Sequence, residues 1–181
     1  MEISAAALPP TLALSRGFVD AAMSVTATQP RAASTQSARQ GFRIGQLALM
    51  VRYEDGSELT EMPPLFRVPN APEWFAGIAN LHGMLVPVFD LGVWAGVPRE
   101  RDERPMLLVL SHGVDAAGVV IDGLPQRLRY SPHQQADAAT APARLSAHVR
   151  GAALIDDVLW FDLDRAGLLD AIETSLARTG N

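Results

Sequence analysis

The sequence contains no cysteine, which excludes disulfide staples, thiolate metal sites and a cysteine nucleophile. It contains no lysine either, because all 15 basic residues are arginine. A Schiff base and a Walker-type phosphate loop both need a lysine amine, so neither chemistry is open to this chain. No apolar run approaches the roughly 18 to 20 residues of a membrane-spanning helix. The first residues lack the basic start and unbroken apolar centre of a secretory signal. Net charge is −5 and no arginine-rich stripe is present, so neither nucleic acid nor an anionic membrane surface is expected as a main partner, and the missing apolar run leaves no direct membrane insertion. These absences describe a soluble chain expected in the cytoplasm.

What is present is enough apolar material for one sizeable core or two small ones packed together, at 48% hydrophobic over 181 residues. That material is unevenly placed. Met1 to Gln40 consists largely of Ala, Ser, Thr, Gln and Pro, a composition that cannot offset the entropy of ordering. Residues 1–40 are therefore expected to be a disordered tail, with "LALSRGFVDAAM" (Leu12 to Met23) as a transient helix weakened by Gly17. Residues 41–181 form the expected folded domain.

From Phe42 onward short apolar runs follow one another: "FRIG", "LALMVRY", "MLVPVFD", "PMLLVLSH", "AAGVVID", "VRGAALID" and "VLWFD". Most are bounded by Gly, Pro, Asp or Asn, which is the pattern of a small all-β barrel or sandwich. Asp55-Gly56 suits a tight hairpin, and Asp156-Asp157 marks another. "HGVDAAG" (His112 to Gly118) reads as a hairpin connection. Ser131 to His148 is polar and Pro-bearing, a long loop or short helix. The C-terminal segment places Leu168, Leu169, Ile172 and Leu176 on one helical face, with Asp162 or Asp164 as its cap.

Candidate chemistry is thin. Asp90 in "FDLG" and Asp122 in "IDGL" faintly resemble the paired aspartates of aspartic proteases, so an aspartate-based hydrolase is the alternative reading. That dyad needs a hydroxyl residue after each aspartate, and Leu91 and Gly123 stand there instead. As strand-closing residues, Asp90 and Asp122 would accept backbone N–H bonds in the turns that follow. The four histidines, His82, His112, His133 and His148, form no helical pair with an intervening acid, so no metal is expected. No Gly-x-Gly-x-x-Gly follows a strand, so no dinucleotide or other cofactor is expected. Trp74 and Trp94 lie near loops, where amphipathic aromatics anchor partners, whereas Trp160 reads as core.

The order of these segments resembles the CheW family, the adaptors of bacterial chemosensory arrays. The resemblance runs from about Phe42 to the C-terminal helix. "FRVPNAPEWFAGIANLHGMLVPVFDL" (Phe66 to Leu91) looks like the family signature, and "AAGVVIDGL" resembles its later strand. "ARLSAHVRGAALIDDVLWFDLDRAGLL" resembles its closing hairpin and helix, and "AHVRGA" is most like the PilI branch of type IV pilus twitching motility. The resemblance implies two intertwined five-stranded SH3-like barrels with short helices and a C-terminal helix. It implies a non-enzymatic adaptor joining a CheA-like histidine kinase to the cytoplasmic tip of a methyl-accepting chemoreceptor, with flagellar chemotaxis as the alternative pathway. The binding residues it implies are Glu58, Trp74, Asn80, His82, Gly83 and Asp90. Two departures stand out: the signature's arginine is His82, and the family's Val-x-Glu strand is matched only by "GSEL" with Glu58.

Overall fold

The computed structural model describes residues 37–98 and 104–179. Eleven strands are present among them: β1 Ser37–Ile44, β2 Leu47–Arg52, β3 Gly56–Glu61, β4 Leu65–Phe66, β5 Phe75–Leu81, β6 Met84–Phe89, β7 Pro105–Leu110, β8 Ala117–Tyr130, β9 Gln135–Ala136, β10 Val149–Ile155 and β11 Val158–Leu163. Three helices join them: α1 Leu91–Ala95, α2 Ala143–Ser146 and α3 Arg165–Thr179. The tail expected over Met1 to Gln40 lies outside the described residues as far as residue 36. Its last four residues, Ser37 to Gln40, are instead the first half of β1.

The strands run in the order β4-β5-β6-β8-β1-β2-β11-β10-β9, with β7 on β8 and β3 on β7. β8 is 14 residues long and divides its pairing. Its first part pairs with β6 and β7, and its second part pairs with β1. Two SH3-like barrels result, the expected all-β architecture. Five main strands, β3, β5, β6, β7 and β8, make one barrel; β8, β1, β2, β11 and β10 make the other. The two-residue strands β4 and β9 are fringes.

Three apolar clusters explain why the runs read as continuous. Leu47, Leu49 and Val51 of β2 face a large central cluster, while Ala48 and Met50 face the second barrel's interior. In β7, Leu108 and Leu110 face the central cluster, and Leu107 and Val109 face the first barrel's interior. A strand between two cores is apolar on both faces, so alternation disappears. α3 closes the central cluster with Leu168, Leu169 and Ile172. Of the two expected caps, Asp164 precedes this helix, and its carbonyl accepts the Leu168 N–H at 2.9 Å.

Asp162 has another role. It is the one buried charged residue among those described, and Arg39 of β1 grips it through Nε at 3.0 Å and Nη2 at 2.8 Å. A bidentate guanidinium satisfies a carboxylate that burial would otherwise penalise. Burial acts to lower the Arg39 pKa, but the hydrogen bond and charge of Asp162 outweigh it and raise the value. The neighbouring Tyr130 hydroxyl is also raised, first by burial and then by the Asp162 carboxylate.

Two hairpins behave as the sequence indicates. Asp156 and Asp157 have φ of 50° and 60° between β10 and β11, a two-residue turn of the primed class. β7 and β8 pair across the connection after Leu110. Two other expectations need correction. Asp55-Gly56 makes no tight hairpin, because β2 and β3 do not pair and Gly56 is extended at φ −85°. A Cβ at Gly56 would lie 1.8 Å from Gln40 Oε1, the movable end of a flexible side chain. Asp122 does not end a strand either. It lies within β8, and its Oδ2 accepts the Gly45 N–H at 2.6 Å from the β1–β2 turn.

Three outcomes follow for stability. Leu169→Asp places a charge in the central cluster, and denaturant titration should show a loss of about 3 to 5 kcal/mol. Arg39→Ala leaves Asp162 buried without its partner and should cost about 3 to 5 kcal/mol in the same measurement. The folded state holds the Tyr130 proton more tightly than the unfolded chain does. The Tyr130 contribution to stability should therefore be level below about pH 10 and fall above it, and Tyr130→Phe should reduce the alkaline fall measured in denaturant titrations.

Candidate functional site

The site is organised by the β5–β6 hairpin. Leu81 pairs with Met84 across a two-residue turn in which His82 and Gly83 have φ of 52° and 87°. Two successive positive φ values define a type I′ turn, which matches the twist of the flanking strands. Histidine is among the non-glycine residues that tolerate this region, and glycine adopts it freely. The Asn80 side-chain Oδ1 accepts the Gly83 N–H at 2.9 Å and fixes the turn from within.

The turn is tethered sideways. His82 Nε2 lies 3.0 Å from Glu58 Oε1 on β3, with the imidazole 78% exposed and the carboxylate 37% exposed. An exposed pair of this kind is worth about 0 to 1 kcal/mol, so it aims the turn more than it stabilises the fold. Beside it lies a groove of about 150 Å³, lined chiefly by Glu58, Leu81, Met84, Val86, Val109 and Ala116. The groove has an apolar floor and a carboxylate–imidazole pair at its rim.

A second surface covers the other face of the same hairpin. Register places Phe66, Ile78 and Pro87 in line across β4, β5 and β6, and sets Asn80 opposite Leu85. Phe66 is 66% exposed and Leu85 is 71% exposed, so the outward face is apolar and open to solvent. Pro87 is tolerated because β6 pairs with β8 only at Val88 and Phe89. At the start of β5 a Cβ on Gly77 would lie 2.7 Å from the Phe66 carbonyl oxygen, and φ there is 139°. Gly77 thus permits the close approach of β4 to β5, at the register shift in the β5–β6 ladder.

The six expected binding residues separate into two groups. Glu58, Asn80, His82 and Gly83 meet at the hairpin tip. Trp74 and Asp90 sit at the hairpin's base, joined by the Asp90 N–H donating to the Trp74 carbonyl at 2.8 Å. Asp90 caps α1, its Oδ1 accepting the Val93 N–H at 3.1 Å, as expected of a residue that ends a strand. Trp74 is a half-buried core neighbour, its ring 6.3 Å from that of Phe89. Trp94, expected as an anchor near a loop, is buried in the central cluster beside His148. Trp160 is core, as its position in the last strand indicates. Phe66, Met84 and Leu85 were not anticipated. The signal was available: a two-residue turn after Leu81 forces Leu85 to share the outward face of Asn80.

Residues 40–173 match the CheW-like domain. The chain belongs to the CheW-like domain family. Among curated relatives, the chemotaxis protein CheW of Klebsiella aerogenes is 35% identical over 69 residues, 38% of this chain and 42% of that protein. Protein PilI of Pseudomonas aeruginosa is 29% identical over 85 residues, 45% of this chain and 47% of that protein. The match thus spans about half the length of these relatives. The fold is similar to the crystal structure of the scaffolding protein TtCheW from Thermoanaerobacter tengcongensis, with a TM-score of 0.66 and 19% identity, covering 77% of this chain and 92% of that one. Proteins of the CheW family are non-enzymatic scaffolds. In this CheW-like domain the carboxylates of Asp90 and Asp122 each accept a backbone N–H, one at a helix cap and one in a hairpin turn.

Removing the cap should be felt locally. Asp90→Ala should cost about 1 kcal/mol in denaturant titration, while Asp90→Asn, which can still accept from the Val93 N–H, should stay within a few tenths.

Proposed function

We propose that the chain is a chemosensory adaptor that joins a CheA-like histidine kinase to the cytoplasmic tip of a methyl-accepting chemoreceptor, with no chemistry of its own. The observation that carries this reading is the pair of unlike surfaces on one hairpin. An adaptor must hold two partners at once, and here one strand pair presents a grooved side and an open apolar side. The groove at Glu58, Leu81 and Met84 suits an amphipathic helix, which lays apolar residues into such a depression. It is assigned to the receptor. The Phe66–Leu85 face suits a flat β-domain surface and is assigned to the kinase.

His82 changes the character of the receptor contact. The arginine of the family signature is a permanent cation with a forked donor, and an imidazole has neither property. The receptor expected here makes less use of a carboxylate at that point and more of the Met84 floor. Named relatives of both pathways match, CheW and PilI alike. The pilus assignment suggested by "AHVRGA" therefore stands level with the flagellar one. The array, and with it a cytoplasmic location, comes through the partners; no helix among the described residues is long and apolar enough to cross a membrane.

The test uses the full chain with a purified kinase regulatory domain and a receptor tip, measured separately by calorimetry. Met84→Asp should weaken receptor binding at least ten-fold, about 1.4 kcal/mol, and leave the kinase affinity unchanged. Leu85→Asp should do the reverse. If neither partner binds the wild-type chain, the adaptor reading fails. If both variants affect both partners alike, the assignment of one surface to each partner fails.

A further inference from the structure

A third surface lies away from the hairpin. Arg127 and Arg129 are two residues apart on β8, so their side chains leave the same face about 7 Å apart. Both are exposed. The Arg127 guanidinium carbon lies 4.6 Å from the centroid of the Tyr53 ring, and Tyr53 is itself 46% exposed. Stacking of this kind holds the guanidinium plane while leaving its edge donors available. Arg52, exposed at the end of β2, immediately precedes Tyr53 in the chain.

Four other arginines are committed to ion pairs. Arg39, Arg104, Arg150 and Arg165 are paired with Asp162, Glu61, Asp164 and Asp55. Among the described residues, Arg52, Arg127 and Arg129 form no ion pair. One exposed acid, Glu54, follows Tyr53 in the chain, and its charge favours the protonated form of Arg39. Two like charges 7 Å apart repel by about 0.6 kcal/mol even in water. The fold carries that small electrostatic cost here, offset in part by the stacking of Arg127 on Tyr53. One edge of the same strand segment is also open: Gln126 to Tyr130 pair with β1 on one side, and no described strand pairs with the other.

We propose that Arg127, Arg129 and Tyr53 form a docking surface for an extended acidic segment of a partner protein. Carboxylates on alternate residues of an extended chain repeat at about 7 Å, the spacing of the two arginines. Such a segment could also hydrogen-bond along the open edge of β8. A short segment meets the local cations, whereas a bilayer or a nucleic acid presents negative charge to the whole molecule. The net charge of −5 opposes those wider contacts. This inference does not depend on the adaptor reading, since it uses neither surface of the β5–β6 hairpin.

The probe is a fluorescent ten-residue peptide of alternating Glu and Ser, compared by anisotropy with the same peptide bearing Gln for Glu. The full chain at low ionic strength should bind the Glu peptide at least ten-fold more tightly than the Gln peptide. The double variant Arg127→Gln/Arg129→Gln should lose that preference with its melting temperature unchanged or slightly raised. Arg127→Lys keeps the charge and should still lose several-fold, because the stacked fork is gone. Equal binding of the Glu peptide by wild type and double variant would overturn the proposal. So would phosphatidylglycerol vesicles or inorganic phosphate competing as well as the acidic peptide does.

Discussion

One strand belongs to two barrels, and that sharing governs the rest of the molecule. β8 leaves β6 and β7 and goes on to β1 without a break. Neither barrel can close unless the other half of β8 is held in line. The register irregularity opposite Gly41 to Arg43 and the Asp122 bond to the Gly45 N–H sit at the changeover. The central cluster lies between the barrels and draws on both, from Phe42 and Leu49 on one side to Leu108 and Val119 on the other. The two barrels are therefore expected to unfold as one cooperative unit.

The hairpin that carries both proposed partner surfaces is anchored by this frame at its base and free at its tip. Val88 and Phe89 are locked beside β8, and Asp90 turns the chain into α1. At the tip, the His82–Glu58 pair and the Asn80–Gly83 bond set direction without adding much stability. A rigid base with a weakly tethered tip suits a surface that must accept a partner's shape, because small adjustments there do not disturb the cores.

Strand positions and turn chemistry were legible because they are local. The apolar runs, the Asp156-Asp157 turn and the amphipathic C-terminal segment each declare themselves within a few residues. The hairpin tip was legible through the signature-like "NLHG", which placed Asn80, His82 and Gly83 together. What failed was non-local. Asp55-Gly56 suggested a hairpin, yet β3 pairs with β7, about fifty residues away. Trp74 and Trp94 stood beside loops, and only packing from distant segments buries them to different degrees. Arg39 stood in a stretch of tail-like composition, and its partner Asp162 lies 123 residues further on. No window on the sequence joins those two residues; only the closed second barrel does.

That last pairing has a consequence for how the chain is made. The first strand joins the second barrel through β2, whose other neighbour is β11 near the C-terminus. At synthesis rates of about 5 to 20 residues per second, Arg39 leaves the ribosome roughly 6 to 25 seconds before Asp162, counted over the 123 intervening positions. During that interval β1 and β2 offer an open edge and apolar faces with no partner yet made. The second barrel can close only after β11 has emerged, so the nascent chain is a natural client for holding chaperones, and a product cut short before β11 cannot complete this barrel.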